Sequence, residues 1–192
     1  MPTFDCSLIR NSEWCEETIR CGHEGELESA TCIYRRTAGE SVWQPWVIVA
    51  PSALLKNLGY DGLGLYAARP FKKDDIVGRY GGRIVEAFDE DYEHDPAVIE
   101  ALLSQNHDKL LLRKGLNGRM EIVDGSTDGP PYLMRCNDPK GSRLKPNGVF
   151  TEGGYMRISQ HRVPSFNTAK SIMDNIDSEL RVEYGDDYWE CW

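Results

Sequence analysis

The chain has 192 residues, 40% hydrophobic and 28% charged, with a formal net charge of −9 at pH 7. These are ordinary values for one globular domain, with or without a small appended subdomain, and with enough residues to build a core. No apolar run approaches the roughly 20 residues a membrane helix needs. The acidic balance argues against nucleic acid as a direct ligand and favours a basic partner.

The opening stretch, MPTFDCSLIRNSEWCEE, lacks the basic and apolar blocks of a secretory leader, so an intracellular protein is expected. Nuclear and cytoplasmic placement stay equally open, because Arg35-Arg36 is too short a basic pair to decide between them. Residues 1–45 are polar and irregular, punctuated by Gly22, Gly25 and Gly39, and are expected to form an N-terminal lobe of uncertain role. Of six cysteines, Cys6, Cys15, Cys21 and Cys32 crowd this lobe with His23 among them. None makes a C-x-x-C pair, so free thiols are expected and no metal site is assigned.

From Trp46 the pattern becomes β-rich. WVIVAPS is an apolar strand closed by proline. In LGYDGLGLYAARPFKKDDIVGRYGGRIVEA, the short apolar runs Leu65–Ala68, Ile76–Val77 and Ile84–Val85 alternate with glycines and a Lys-Lys-Asp-Asp turn, which predicts a series of short strands. Asp95 then offers a helix cap, Pro96 a first helical residue, and Val98, Ile99, Leu102 and Leu103 one apolar face, so a helix is expected over Asp95–Asn106. Around it, from Ile84 to Asp108, there is no Lys or Arg, while Glu86, Asp89, Glu90, Asp91, Glu93, Asp95, Glu100 and Asp108 accumulate. Both a solvated acidic surface and a docking face for a Lys/Arg-rich peptide fit that run.

Two β-like runs flank Asn117-Gly118, the signature of a tight hairpin. STDGPPYLMRCNDPKGSRLKPNG reads as loop and YMRIS as a strand. In ELRVEYG, Leu180, Val182 and Tyr184 alternate with Arg181 and Glu183, which predicts an inward Tyr184 ring. Many short strands, one inserted helix and long loops define a β-rich α+β fold. Singly, the candidate motifs are weak: GLG is an ordinary tight turn, Asn137-Asp138-Pro139 an Asx-type turn, and an inward tyrosine a common core residue.

In order, however, GLGLYAARPFKKDDIVGRYGG, EIVDGS, MRCNDPKGSRLKPNGVF and SELRVEYG resemble the SET-domain protein lysine methyltransferases. That family carries G-x-G-L-[FY]-A, then K-K-G-x-x-I-x-x-Y-x-G, a helical insertion, R-[FY]-[IV]-N-H-S-C-x-P-N and a closing E-[EL]-x-x-x-Y-G. The ending YGDDYW is similar to that of small viral SET proteins, and the resemblance covers about Trp46 to Trp189. The chain departs from the pattern at Met134 (usually Arg), at Asp138 (usually His), in the extra residues Lys140–Lys145 and at Asp177 (usually Gly). Cys191 is the only cysteine after Tyr184.

The resemblance implies a SET-type fold of several short curled sheets, with a helical insertion at about 87–108 and a C-terminal segment threaded back to the active site. It divides the chain into an N-terminal lobe, 1–45, and a catalytic domain, 46–192. It implies S-adenosyl-L-methionine as cofactor and transfer of its methyl to a lysine of a basic protein segment such as a histone tail. Tyr184 and Tyr80 are then the catalytic residues. Gly62, Leu63, Gly64, Tyr66, Asn137, Asp138 and Trp189 hold the cofactor, and Phe150, Tyr80 and Tyr184 line the lysine channel. Phe150, where relatives carry Tyr or Phe, leaves room for di- or trimethylation, and Trp189 or Trp192 would close the channel. Met134 and Asp138 keep open a second reading, a SET-like module that binds a peptide without catalysis. A third is a small zinc- or thiol-stabilised interaction protein. Neither the oligomeric state nor the substrate lysine is legible.

Overall fold

The computed structural model describes residues 13–21, 28–36, 41–88, 110–125 and 132–184. The helix expected over Asp95–Asn106, most of the acidic run, Cys6, His23 and the aromatic tail with Trp189 and Trp192 lie outside the described residues. Within them the molecule is β-rich, with several small antiparallel sheets, none of them closed, and little helix.

The largest sheet has four strands in sequence order: β1 (Trp14–Cys21), β2 (Glu28–Arg35), β3 (Gln44–Pro51) and β4 (Leu63–Ala67). The polar N-terminal region is therefore not irregular where it is described. The boundary expected near residue 45 falls inside β3, and the sheet runs across it. Core lies on both faces of this sheet. Ile33, Val47, Leu65 and Ala67 face one cluster, while Ala30, Cys32, Ile48, Ala50 and Tyr66 face another that includes Phe166 and Ile172. Burial on both faces explains why the VIVA run shows no polar alternation.

The polar face of β1 and β2 is organised by aromatic rings. The Arg35 guanidinium lies 5.3 Å from the Trp14 ring centre and 4.9 Å from that of Trp46, and Arg69 lies 4.6 Å from Trp46. Stacked cations of this kind keep long side chains packed over apolar surface. Trp46 also donates its indole N–H to the Val77 carbonyl at 2.7 Å, joining this sheet to the next.

Between β3 and β4 stands a short helix, α1 (Ala53–Leu58), whose cap Ser52 accepts the Leu55 N–H through its hydroxyl at 2.9 Å. Beyond β4 come β5 (Phe71–Lys72), β6 (Ile76–Arg79), β7 (Arg83–Phe88), β8 (Leu110–Lys114) and β9 (Met120–Asp124). After a 3-10 turn at Leu133–Arg135 follow β10 (Gly148–Phe150), β11 (Tyr155–Ile158) and β12 (Arg162–Val163). The smaller sheets have the orders β10-β11-β6, β12-β5 and β7-β9-β8. The hairpin expected at Asn117-Gly118 is the β8–β9 pair, with Gly118 at φ 83° in its turn. Asp74, in the Lys-Lys-Asp-Asp turn, takes φ 70°, a left-handed conformation that Asp tolerates better than most residues.

The segment after Ser178 differs from expectation. It is extended but forms no strand, and is held by isolated bridges, Glu179 to Tyr66 and Arg181 to Asn137. Glu179 and Arg181 are buried along with Leu180 and Val182, so the expected in–out alternation does not hold there. The segment threads through the protein rather than lying on it.

Candidate functional site

Tyr80, Phe150 and Tyr184 come from widely separated parts of the chain and meet around one pocket of about 190 Å³. Leu110, Leu111, Leu133, Met134, Cys136 and Val149 complete its largely apolar wall, and the exposed Glu183 stands at its edge. The Tyr80 and Phe150 rings pack edge to face, with centres 5.7 Å apart and an interplanar angle of 84°.

Each aromatic is fixed by its own support. The Tyr80 N–H donates to the Gly154 carbonyl at 2.8 Å, and its carbonyl accepts from Arg113, which is paired with Glu121 at 3.0 Å. Arg113 and Glu121 sit opposite each other on β8 and β9, and both are buried. Removing one partner of such a pair strands a charge, so the hairpin and Tyr80 stand or fall together. Phe150 ends β10, in register with Met156 of β11. Tyr184 donates its hydroxyl to the Cys136 carbonyl and its backbone N–H to Asp138 Oδ2 at 2.8 Å. Its phenolic proton is thereby committed, and toward any other partner the oxygen acts as an acceptor.

The residues expected at the cofactor are treated unequally. Gly62 and Leu63 are exposed, and Asn137, half-buried, donates to the Leu63 carbonyl at 3.1 Å, so these three form one continuous surface. Tyr66 is a correction: it is wholly buried, packs edge to face on Phe166, donates to the Pro51 carbonyl and accepts the Ala53 N–H, each at 2.7 Å. It offers no surface to a ligand, because a buried hydroxyl needs internal partners and here has found them. Burial, followed by the nearby Glu179 charge, pushes its pKa far above the usual phenol range. Asp138 is also turned inward, accepting from Lys140 N and Tyr184 N at 2.8 Å each; what it holds is the Tyr184 backbone. Trp189 lies outside the described residues.

Gly64 has an internal reason to be glycine. A Cβ there would stand 2.5 Å from Glu179 Oε1 and 3.2 Å from Ser52 Cα. Glu179, which opens the closing motif but was given no role from the sequence, is fully buried. Its carboxylate accepts from Ser52 Oγ at 2.6 Å, Leu54 N at 2.9 Å and Asn137 Nδ2 at 3.2 Å. Its carbonyl accepts from Asn147 Nδ2 at 2.7 Å. One side chain thus ties the start of α1 to the Asn137 loop. Arg181 is buried beside it and donates to the carbonyls of Lys145 and Ile176. Burial, only partly offset by Glu179, lowers its pKa.

Neither Cys32 nor Cys136 is poised for thiol chemistry. Burial, with Glu179 adding to it, raises the Cys136 thiol well above its ordinary range, and burial pushes Cys32 up to about 11. Both stay protonated near neutrality, whereas a nucleophilic cysteine needs its thiolate. Among the described residues no group of His, Cys, Asp and Glu is placed to hold a metal, and no helix is long and apolar enough to cross a membrane.

Glu183, Leu110 and Leu111 belong to the pocket although no motif marked them. Glu183 was legible only as the outward neighbour of Tyr184. Leu110 and Leu111 reach the pocket through the β8–β9 pairing, which a linear motif does not carry. No protein-family model matches the chain, and no curated protein is significantly similar to it.

Proposed function

We propose that the protein is an S-adenosyl-L-methionine-dependent protein lysine N-methyltransferase acting on a basic protein segment such as a histone tail, to the di- or trimethyl state. The observation that carries this reading is the meeting of Tyr80, Phe150 and Tyr184 in one narrow, largely apolar pocket with a carboxylate at its edge. Gly62 and Leu63 present exposed backbone beside the half-buried Asn137, whose amide nitrogen holds that backbone through the Leu63 carbonyl, and these three are assigned to the cofactor; Tyr66 and Asp138 are engaged internally and are not.

When bound, S-adenosyl-L-methionine supplies an electrophilic methyl group on a positively charged sulfur. The pocket's work is on the amine. A lysine with an ordinary pKa of about 10.4 must arrive deprotonated, and an apolar wall of Leu110, Leu111 and Phe150 disfavours its ammonium form. Tyr184, its proton committed to the Cys136 carbonyl, can accept a hydrogen bond from the neutral amine and so orient its lone pair. The faces of Tyr80 and Phe150 favour a methylated ammonium product. Glu183 attracts the cationic side chain to the entrance.

Calorimetric titration with S-adenosyl-L-methionine, followed by mass spectrometry of a basic protein substrate, tests the reading. One-to-one binding and methyl additions on lysine support it. Folded protein that binds no cofactor at millimolar concentration overturns it and leaves the non-catalytic peptide-binding module. The inward turn of Asp138 and the burial of Tyr66 favour that second reading, because they shrink the surface open to a cofactor.

A further inference from the structure

Away from the aromatic pocket, β5 and β12 form a sheet of two residue pairs beside an open concavity of about 730 Å³, lined by Pro70, Lys72, Lys73, His161 and Arg162. Phe71 pairs with Val163, and both turn into the core. Lys72 and Arg162, the other pair, are therefore neighbours on the outer face, and both are exposed. Lys73 follows, its N–H bonded to the His161 carbonyl at 3.2 Å.

Like charges directly opposite across two strands destabilise the pair. Among the described residues, the nearest carboxylates are engaged elsewhere. Asp74 is paired with Arg157 at 3.3 Å, and Asp75 directs its carboxylate to the Lys72 backbone N–H at 2.8 Å. Among the described residues Lys72, Lys73 and Arg162 have no ion-pair partner. In a chain of net charge −9, an unpaired cationic cluster across a two-pair sheet is an arrangement that an anion would relieve.

We propose that this concavity docks the phosphate backbone of duplex nucleic acid, without reading sequence. The lining offers three cationic side chains beside Pro70 and a single imidazole, His161, so binding would rest chiefly on summed charge. Exposed ammonium and guanidinium groups suit phosphates, and duplex nucleic acid carries about one negative charge per 1.7 Å of its axis. The whole-chain charge opposes such binding at long range, so the contact is weak and steeply salt-dependent, with the local cluster deciding it. It does not depend on the proposed methyltransferase activity, because it concerns a different face.

The test is fluorescence anisotropy of a labelled 20-base-pair DNA duplex titrated with the full chain at several salt concentrations. With three cations engaged, the association constant should fall about 40-fold between 50 and 200 mM salt. Lys72→Glu and Arg162→Glu should each weaken binding about tenfold and flatten that salt dependence, with circular dichroism confirming the fold. Arg119→Glu, an exposed residue in the turn between β8 and β9, changes the net charge equally and should leave binding within twofold of the parent. No binding at 50 mM salt overturns the proposal, as does an equal loss in Arg119→Glu. A poly-glutamate peptide that binds as tightly as the duplex also overturns it, assigning the groove to an acidic protein segment. If a reversal variant fails to fold, the parent's salt slope still decides, since a flat one excludes backbone docking.

Discussion

Glu179 and Tyr184 belong to one threaded segment, yet they end in opposite surroundings. Glu179 sits in a polar knot where both carboxylate oxygens are engaged and no space remains. Tyr184 borders an apolar pocket with volume left in it. Buried polar groups contribute to a fold only when fully paired, so the knot is a fastening. A pocket that folding leaves unfilled forgoes packing contacts, and that is the usual condition of a site kept for a ligand. The segment joins the two, and the fastening sets where the tyrosine stands.

The comparison breaks most severely at Glu179. Replacement by Ala leaves the Ser52 hydroxyl and the Leu54 N–H without their acceptor, while the Asn137 amide keeps only its bonds to the Leu63 carbonyl and Ser52. At about 1–3 kcal/mol for each buried group left unpaired, with partial rescue by water, Glu179→Ala should lose about 3–5 kcal/mol of stability. Urea unfolding measures it; a loss below about 1 kcal/mol would show that the knot is not a fastening. Gly64→Ala follows. Its Cβ must displace Glu179 Oε1 or the Ser52 backbone, at a cost of about 1–3 kcal/mol. In the Glu179→Ala background most of that penalty should vanish, and additive losses in the double mutant would separate Gly64 from the carboxylate. Because Gly64 serves the knot, a bulky residue there would probe folding before it probed any cofactor.

The two regions were not equally legible in the sequence. Convergence of Tyr80, Phe150 and Tyr184 was readable because motif order placed them, and the apolar pattern around each agreed. The hairpin at Asn117-Gly118 was readable for a local reason, since its turn chemistry is contained in adjacent residues. The burial of Glu179 was not readable, although the closing motif begins with it. A carboxylate between Ser178 and Leu180 looks solvated, and only partners distant in sequence, Ser52 and Asn137, make its burial affordable. Tyr66 failed for the converse reason: adjacent to a glycine motif it looked available, but the sheet turns it to the second core. Strands β1 and β2 were hidden by their polar faces, which are organised by Arg35 stacked between two indoles, a contact between residues remote in sequence.

On the pocket side, stability and activity should part. Tyr184→Phe removes one hydrogen bond, to the Cys136 carbonyl, and keeps the ring. Stability should fall by about 1 kcal/mol. Methyl transfer should fall at least about tenfold, equivalent to about 1.4 kcal/mol in the barrier, because the amine loses its orienting acceptor. An unchanged turnover in this variant would remove Tyr184 from the chemistry and leave it as packing.

The smallest structural change tests the pocket's spare volume. Phe150→Tyr adds one hydroxyl to a ring already held edge-on by Tyr80, at a half-buried position with space beside it. Nothing in the fold needs that hydroxyl, so the unfolding free energy should stay within about 0.5 kcal/mol of the parent. The pocket, however, would lose the room a second or third methyl group must occupy, and its new oxygen could hydrogen-bond an amine that still carries protons. Mass spectrometry should then show product stopping at the monomethyl stage, where the parent proceeds to di- or trimethyl-lysine. If parent and variant give the same product distribution, the vacant volume beside Phe150 does not set the degree of methylation, whichever residues perform the transfer.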